Sequence, residues 1–207
     1  MYFTDLNDLK ADLEKNYQSF PLVEKPTDII HGEGNEQANV MLIGEAPGYY
    51  ESVERRPFVG RSGQLLRKVL AESGLQASQV YISNIIKVRP PDNRDPLPHE
   101  ILAFKPYLDA EINLIKPKLI VTLGRFSMAK FLPDVKVSEV HGRLHKIKWH
   151  EETFFILPMY HPAAALRATK IKESFIKDFA KIKKVIDFVE TAKEGEEFKE
   201  IVKEALL

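Results

Sequence analysis

The chain has 207 residues, of which 44% are hydrophobic and 29% charged, a composition typical of a globular protein and not of a disordered or membrane-spanning one. It has no cysteine, which excludes disulfide bonds, a thiol nucleophile and metal sites built on thiolates. Basic and acidic side chains are equal in number, 30 of each, and a net charge of zero by itself argues against a nucleic-acid partner. Because we find neither a signal peptide nor a long apolar stretch, we expect a cytoplasmic protein without membrane contact.

The zero net charge conceals two basic tracts. Residues 55–94 carry 8 basic and 2 acidic side chains, and residues 141–184 carry 10 basic and 4 acidic ones. Acidic residues dominate 1–54 and 185–207, whose net charges are −8 and −4. A charge run is usually only a solvated face. These two tracts carry more weight because they also contain the glycine- and proline-rich motifs described below.

The hydrophobic pattern alternates between strand-like and helix-like segments. Short apolar, β-branched runs predict four buried strands, at 39–43, 80–86, 118–123 and 154–157. Helical spacing predicts helices at 5–17, 62–74, 98–112 and 168–189, and a last amphipathic helix at 195–207. This alternation predicts an α/β fold, a three-layer α/β/α sandwich around a central, mainly parallel four-stranded sheet. We expect a single domain over 1–207, with a helix and arm at 1–38 and a helical appendage at 195–207.

Three predicted strands end at a residue that could belong to a site. Gly44 follows the first strand, Asn84 lies at the end of the second, and His161 follows the fourth. Ligands of open α/β sheets bind outside the carboxyl ends of the strands. We therefore expect these three residues to meet at one edge of the sheet.

Several common functional motifs are absent or incomplete. There is no GxxxxGK[ST] phosphate loop and no GxGxxG dinucleotide motif. Gly60-Arg61-Ser62-Gly63 resembles a nucleophile elbow only superficially, because its second glycine comes one residue too early. His141 and His145 have helical ligand spacing but lack the glutamate of HExxH, so we interpret them as surface polar residues and expect no metal site.

Two segments resemble the uracil-DNA glycosylase superfamily, and in detail its fourth, iron–sulfur-containing family: GEAPGYYESVERRPFVGRSGQLL at 44–66 and YHPAAALR at 160–167. The similarity extends from about Tyr17 to Arg167 and includes SNIIK at 83–87, RPPDNRDP at 89–96 and LIVTLGRF at 119–126. GEAPG alone would be weak, but the ordered set of motifs is specific. The resemblance implies a monomeric, monofunctional DNA glycosylase that flips uracil out of DNA and hydrolyses its N-glycosidic bond, leaving an abasic site.

The resemblance also implies roles for the residues that match the motifs. Glu45 would position or activate the hydrolytic water, with Glu51 as a secondary candidate, and His161 would donate a hydrogen bond to uracil O2 as negative charge develops there. Each residue taken alone has a plainer interpretation: Glu45 as a turn cap and His161 as an incidental surface side chain.

Further matched residues would bind the base and the DNA. The resemblance implies that Phe58 stacks on the extruded base and that Asn84 reads its Watson–Crick edge with its amide. Leu166 and Arg167 would fill the space left by the flipped base, and the two basic tracts would contact phosphates. The remaining matched positions are the backbone of the first motif and one basic residue: Gly44, Ala46, Pro47, Gly48 and Arg61.

The main departure from the fourth family is the absence of its four cluster cysteines. Matching the motifs puts Tyr17, Phe20, Val88 and Phe104 at those positions. We expect these four side chains to form a hydrophobic cluster that ties the N-terminal arm to the proline-rich loop, contributing several kcal/mol by burial, at about 1.5–3 kcal/mol for each side chain. No cofactor is expected.

Two other functions remain open from the sequence. The chain could be a non-catalytic, damage-sensing relative that only binds nucleic acid, since its lineage has lost the metal cluster. It could also be a small nucleobase-binding α/β protein that shares only the fold. Within the first interpretation, a related deaminated base such as hypoxanthine is an alternative substrate.

Overall fold

The computed structural model describes residues 2–149 and 152–191, and its centre is a mixed, mostly parallel six-stranded sheet flanked by helices. The strands are β1 (Glu33–Gly34), β2 (Val40–Gly44), β3 (Val80–Asn84), β4 (Leu119–Leu123), β5 (His145–Trp149) and β6 (Glu152–Met159). Their order across the sheet is β1-β3-β2-β4-β6-β5. The four central strands are parallel to one another, and β1 and β5 pair antiparallel at the two edges.

The predicted four-stranded sheet is therefore wrong in its strand count. The four central strands are the four predicted ones, and the edge strands were missed. β1 has only two residues and no apolar pattern, and β5 alternates between exposed and half-buried side chains. Neither edge strand carries the continuous apolar run of a buried parallel strand.

Nine α-helices lie within the described part of the chain. They are α1 (Leu6–Lys15), α2 (Tyr49–Glu54), α3 (Arg61–Glu72), α4 (Pro98–Ile115), α5 (Arg125–Ala129), α6 (Val137–Val140), α7 (Pro162–Arg167), α8 (Thr169–Phe179) and α9 (Ile182–Thr191). None of these helices is both long and apolar enough to cross a membrane.

Local capping explains where the principal helices begin. Asp5 caps α1, since its carboxylate accepts hydrogen bonds from the backbone N–H groups of Asn7 and Asp8, both at 2.8 Å. Pro98 is the first residue of α4, as predicted, and the Glu100 carboxylate accepts the N–H of Leu97 at 2.7 Å.

Two features of the helices differ from the prediction. The segment after Gly44, where no helix is predicted, contains the short helix α2. The single apolar stripe at 168–189 is divided between α8 and α9. The predicted helix at 195–207 lies outside the described residues.

Alternate residues of the central strands pack into two separate hydrophobic clusters. Met41 and Ile43 belong to a cluster with α1 and α4, whereas Val40 and Leu42 belong to one with α3, α8 and α9. Because successive side chains of a strand point to opposite faces, the two clusters lie on the two sides of the sheet.

The four positions matched to the cluster cysteines lie in the first of these clusters, as predicted. Phe20, Val88 and Phe104 are buried, and Tyr17 is partly buried against the same cluster. The rings of Phe20 and Phe104 stack with centroids 4.8 Å apart, and Phe20 also meets Tyr107 edge-on at 5.2 Å. Aromatic packing of this kind adds about 0.5–1.5 kcal/mol per pair beyond burial.

Candidate functional site

The carboxyl ends of the parallel strands converge on one cleft of about 740 Å³. Gly44 of β2 is in register with Asn84 of β3, and the N–H of Gly124, just after β4, donates to the carbonyl of Met159 at the end of β6 at 2.9 Å. This geometry brings together the strand ends that the sequence pattern had singled out. The predicted site residues that line the cleft are Glu45, Ala46, Pro47, Gly48, Phe58, Asn84, His161 and Arg167.

Three predicted residues are not among the cleft-lining ones. Gly44 is buried beneath the cleft: a Cβ there would lie 2.4 Å from both the Phe58 ring and Asn84 Oδ1, so only glycine allows these side chains to approach the strand end. Arg61, at the start of α3, is exposed. Leu166 on α7 is 42% exposed, and Arg167 follows it at the cleft's edge.

Asn84 carries the most informative polar group in the cleft. The residue is 3% exposed, and its Oδ1 meets no hydrogen-bond donor in the described part of the chain. A buried acceptor without a donor costs about 1–3 kcal/mol. The Asn84 amide oxygen is therefore suited to a ligand that brings its own N–H group.

Phe58 is held next to Asn84 by a strained backbone. It is buried and has a φ of 54°, a left-handed conformation uncommon for a bulky residue. The Arg67 guanidinium donates to the carbonyls of Phe58 and Pro57, both at 3.0 Å, and forms an ion pair with Glu33. Strain of this kind persists only where the surroundings enforce it, and here Arg67 does so.

Glu33 and Arg67 support the site, although no sequence motif indicates this role. The Arg67 guanidinium, which belongs to the first basic tract, is engaged by Glu33 and by two carbonyls. The two residues are 34 positions apart, so no local motif reports their contact.

Glu51 organises the backbone of the first motif. Its carboxylate accepts the N–H groups of Gly48 at 3.2 Å, Val59 at 3.0 Å and Gly60 at 2.8 Å. These bonds join the turn after β2 to the segment that carries Phe58. These contacts give Glu51 a positioning role, and the water-activating role stays a prediction.

Glu45 has the electrostatic properties of a proton acceptor. Burial raises the pKa of its carboxyl to about 7, and the negative charge of Asp95 acts in the same direction. Arg125 and Arg167 oppose this shift. A carboxyl with a pKa of about 7 exchanges its proton readily near neutral pH.

His161 is held as a neutral imidazole with one defined tautomer. Its Nδ1 accepts the backbone N–H of Ala163 at 3.1 Å, which leaves the ring proton on Nε2. Burial, followed by the charge of Arg167, lowers the pKa of His161 to about 4. The ring centroid lies 6.1 Å from that of Phe58, so a donor N–H and an aromatic ring border the same space.

Most of the first basic tract is neutralised within the protein. Ion pairs join six of its eight basic residues to carboxylates: Arg55–Glu14, Arg56–Glu33, Arg67–Glu33, Lys68–Glu72, Lys87–Glu111 and Arg94–Glu100. Among the described residues, Arg61 and Arg89 are the two members of the tract without a carboxylate partner.

Phosphate contact by the tract stays a prediction for its exposed residues, but Lys87 is buried and paired. Its side chain is 1% exposed and donates to Glu111 at 2.6 Å. Glu111 also accepts from Ser83 and Tyr81, which completes a buried network beneath the sheet's end. A buried, paired lysine has no path to a phosphate.

His141 has a structural role that the sequence did not indicate. His141 is partly buried, contacts the Asp178 carboxylate at 2.6 Å and packs on the Tyr160 ring with centroids 4.5 Å apart. It lies at the surface with 24% of its side chain exposed, and it is tied to α8 through Asp178. Among the described residues, no three histidine, aspartate or glutamate side chains are grouped as metal ligands would be.

An iron–sulfur cluster does not fit the four matched positions. Their side chains are aromatic or aliphatic, three of them are buried in one hydrophobic cluster, and the chain contains no cysteine. Such clusters require thiolate ligands, with imidazole as the substitute in some centres.

Comparison with known proteins agrees with this geometry. The family model described as the uracil DNA glycosylase superfamily matches residues 31–185. A type-4 uracil-DNA glycosylase of Sulfurisphaera tokodaii is 42% identical over 165 residues, covering 77% of this chain and 75% of that protein. One from Saccharolobus solfataricus is 39% identical over 185 residues, covering 86% of each chain, and one from Thermotoga maritima is 36% identical over 184 residues, covering 88% of this chain and 95% of that protein.

Proposed function

Since the chain belongs to the uracil DNA glycosylase superfamily, we propose that it removes uracil from DNA by hydrolysing the N-glycosidic bond and leaves an abasic site. The observation that carries the proposal is the buried Oδ1 of Asn84, which accepts no hydrogen bond within the described residues. It lies in a cleft that Phe58 and His161 also line. Each of these groups matches one need of the reaction.

The Asn84 amide selects the base. Its Oδ1 accepts from the N3–H of uracil, and its Nδ2 donates to O4. Cytosine presents an amine where uracil has O4 and an acceptor where uracil has N3–H, so both contacts would be mismatched. Phe58 supplies an aromatic face for the extruded ring.

His161 stabilises the leaving base. As the C1′–N1 bond breaks, its electron pair passes to the uracil ring and negative charge develops on O2. The neutral imidazole donates its Nε2–H to that oxygen, because its Nδ1 already accepts the N–H of Ala163. Removing one such donor typically costs about 10²–10³ in rate.

Glu45 completes the hydrolysis. Water attacks C1′, and the ionised carboxylate takes one water proton, so that the sugar gains a hydroxyl group at C1′ and the base leaves as the uracil anion. Glu45 then releases its proton to solvent and the anion takes one up, which gives neutral uracil and restores the carboxylate. The resemblance to the superfamily implies this role for Glu45, because Ala46 matches the position at which its other families have an Asp or Asn that handles the water. Glu51 keeps the turn at Gly48 in position for this step.

The DNA is held from the sides of the cleft. We assign to Leu166 and Arg167 the filling of the gap left by the extruded nucleotide, because both are exposed at the end of α7, beside the cleft. We also assign a phosphate contact to Arg61, which is exposed at the start of α3. One chain supplies every residue of this mechanism, so we propose that it acts as a monomer.

The test is single-turnover incubation of the protein with single- and double-stranded oligonucleotides that contain one uracil. Alkaline cleavage at abasic sites should reveal product with the unaltered protein and far less with His161→Ala or Asn84→Ala. DNA binding without any abasic product at high protein concentration would favour the damage-sensing alternative. Absence of DNA binding at low salt would favour a nucleobase-binding protein.

A further inference from the structure

Two large aromatic side chains are exposed on α2, beside the cleft. Tyr49 is 55% exposed and Tyr50 is 58% exposed, and their rings meet edge-on with centroids 5.5 Å apart. Val53, one turn after Tyr49, is also exposed. Contiguous exposed apolar surface of this kind marks a binding site more often than isolated exposed residues do.

The tyrosine pair is continuous with the cleft. Gly48 and Glu51, which lie on either side of the pair in sequence, both line the cleft. A Cβ at Gly60 would lie 3.5 Å from Cδ2 of Tyr50, so that ring packs beside the residue that precedes Arg61. A strand of DNA leaving the cleft on this side therefore meets the two rings.

Positive charge borders the same surface. The Arg89 guanidinium lies 5.2 Å from the centre of the Tyr49 ring, and its Nε–H donates to Asn93, a cleft-lining residue, at 2.8 Å. Arg89 and Arg61 are also the two residues of the first basic tract that no described carboxylate neutralises. Aromatic rings with unpaired cations beside them are the combination that binds single-stranded nucleic acid.

We propose that Tyr49 and Tyr50 form a stacking surface for unpaired nucleotides next to the extruded one, with Arg89 fixing the Tyr49 ring and Arg61 contacting the backbone. This inference rests on the proposed function, since it concerns the same DNA strand. Every base has an aromatic face, so the surface accepts any neighbouring sequence. In a duplex those faces are covered by stacking, and the contribution of the tyrosines is specific to unpaired DNA.

The test compares binding and excision by paired variants. Tyr49→Ala/Tyr50→Ala removes both rings, and Tyr49→Phe/Tyr50→Phe retains them without the hydroxyl groups. Tyr2→Ala is the matched control, because Tyr2 is 95% exposed and does not line the cleft. Fluorescence anisotropy with a uracil-free single strand measures binding independently of catalysis, and single-turnover excision gives the half-saturating protein concentration.

Loss of stacking should weaken single-strand binding about tenfold for each ring. In single-turnover excision by the double alanine variant, the half-saturating protein concentration should rise more for a 20-nucleotide strand than for a uracil trinucleotide. The phenylalanine and Tyr2→Ala variants should bind like the unaltered protein.

Two results would overturn the inference: unchanged single-strand binding by the double alanine variant, or an equal loss of affinity for a duplex of the same sequence. Unchanged binding would leave the exposed pair as a surface for a protein partner. Failure of the unaltered protein to excise uracil at all would instead remove the proposed function, so the two failures are distinguishable.

Discussion

The ionisation of Glu45 should govern the rate of uracil excision near neutral pH. Burial and Asp95 hold the pKa of this carboxyl at about 7, whereas an exposed glutamate titrates near 4.5. Only the ionised form can take a proton from water. The rate should therefore fall as the pH is lowered through 7, with one proton taken up by the enzyme.

The size of the effect follows from the pKa. With a pKa of about 7, about a tenth of Glu45 is ionised at pH 6 and about nine-tenths at pH 8, so the rate should rise about tenfold between these values. His161 adds no inflection in this range, because its pKa of about 4 keeps it neutral throughout. Glu45→Gln should lower the rate of excision by about 10²–10⁴, and the rate that remains should not depend on pH.

The charge of Arg167 provides a second, independent test of the same carboxyl. Arg167 lowers the pKa of Glu45, so Arg167→Gln should move the inflection to higher pH. Arg143→Gln makes the same change of charge at an exposed position outside the cleft and should leave the inflection in place.

The assay is single-turnover excision from a single-stranded uracil oligonucleotide at saturating protein, between pH 5.5 and 8.5. Saturation keeps changes in DNA affinity out of the measured rate. A flat profile, or an inflection that persists in Glu45→Gln, would refute the assignment of Glu45 as the proton acceptor.

Three further changes test the site and the core. His161→Ala should slow single-turnover excision by about 10²–10³ while changing DNA affinity far less, and a loss of affinity alone would contradict its role at the leaving base. Phe104→Ala should lower the free energy of unfolding in urea by about 3–5 kcal/mol, whereas Leu102→Ala, on the same helix but 65% exposed, should change it by less than about 0.5 kcal/mol. Gly44→Ala should slow excision at least tenfold, because its Cβ would displace the Phe58 ring, and a normal rate with a normal melting temperature would show that the ring can move without cost.

The central strands were predictable because burial on both faces leaves a plain sequence signal. The run Val40–Gly44 is buried at every position, and so is Val80–Asn84. The rule that ligands bind at the carboxyl ends of such strands then placed Asn84 and His161 at one edge of the sheet. Edge strands lack this signal, which is why β1 and β5 were missed.

Contacts between distant residues account for the features of the site that were not predictable. The Arg67–Glu33 ion pair, which holds Phe58 in its left-handed conformation, joins residues 34 positions apart. Composition likewise could not show that Lys87 is buried against Glu111. The sequence of a basic tract does not indicate which of its side chains are exposed and which form buried ion pairs. Both facts depend on three-dimensional neighbours.

The hydrophobic cluster at the positions matched to the cysteines adjoins the loop that carries Asp95 to the cleft. Val88, packed in the same buried cluster as Phe20 and Phe104, lies just before the proline-rich loop, and that loop carries Asp95 to the cleft beside Glu45. Asp95 is one of the two causes that raise the pKa of Glu45. Burial of Val88 therefore anchors the start of the loop that carries Asp95. In this chain, hydrophobic packing anchors the loop without a metal ligand.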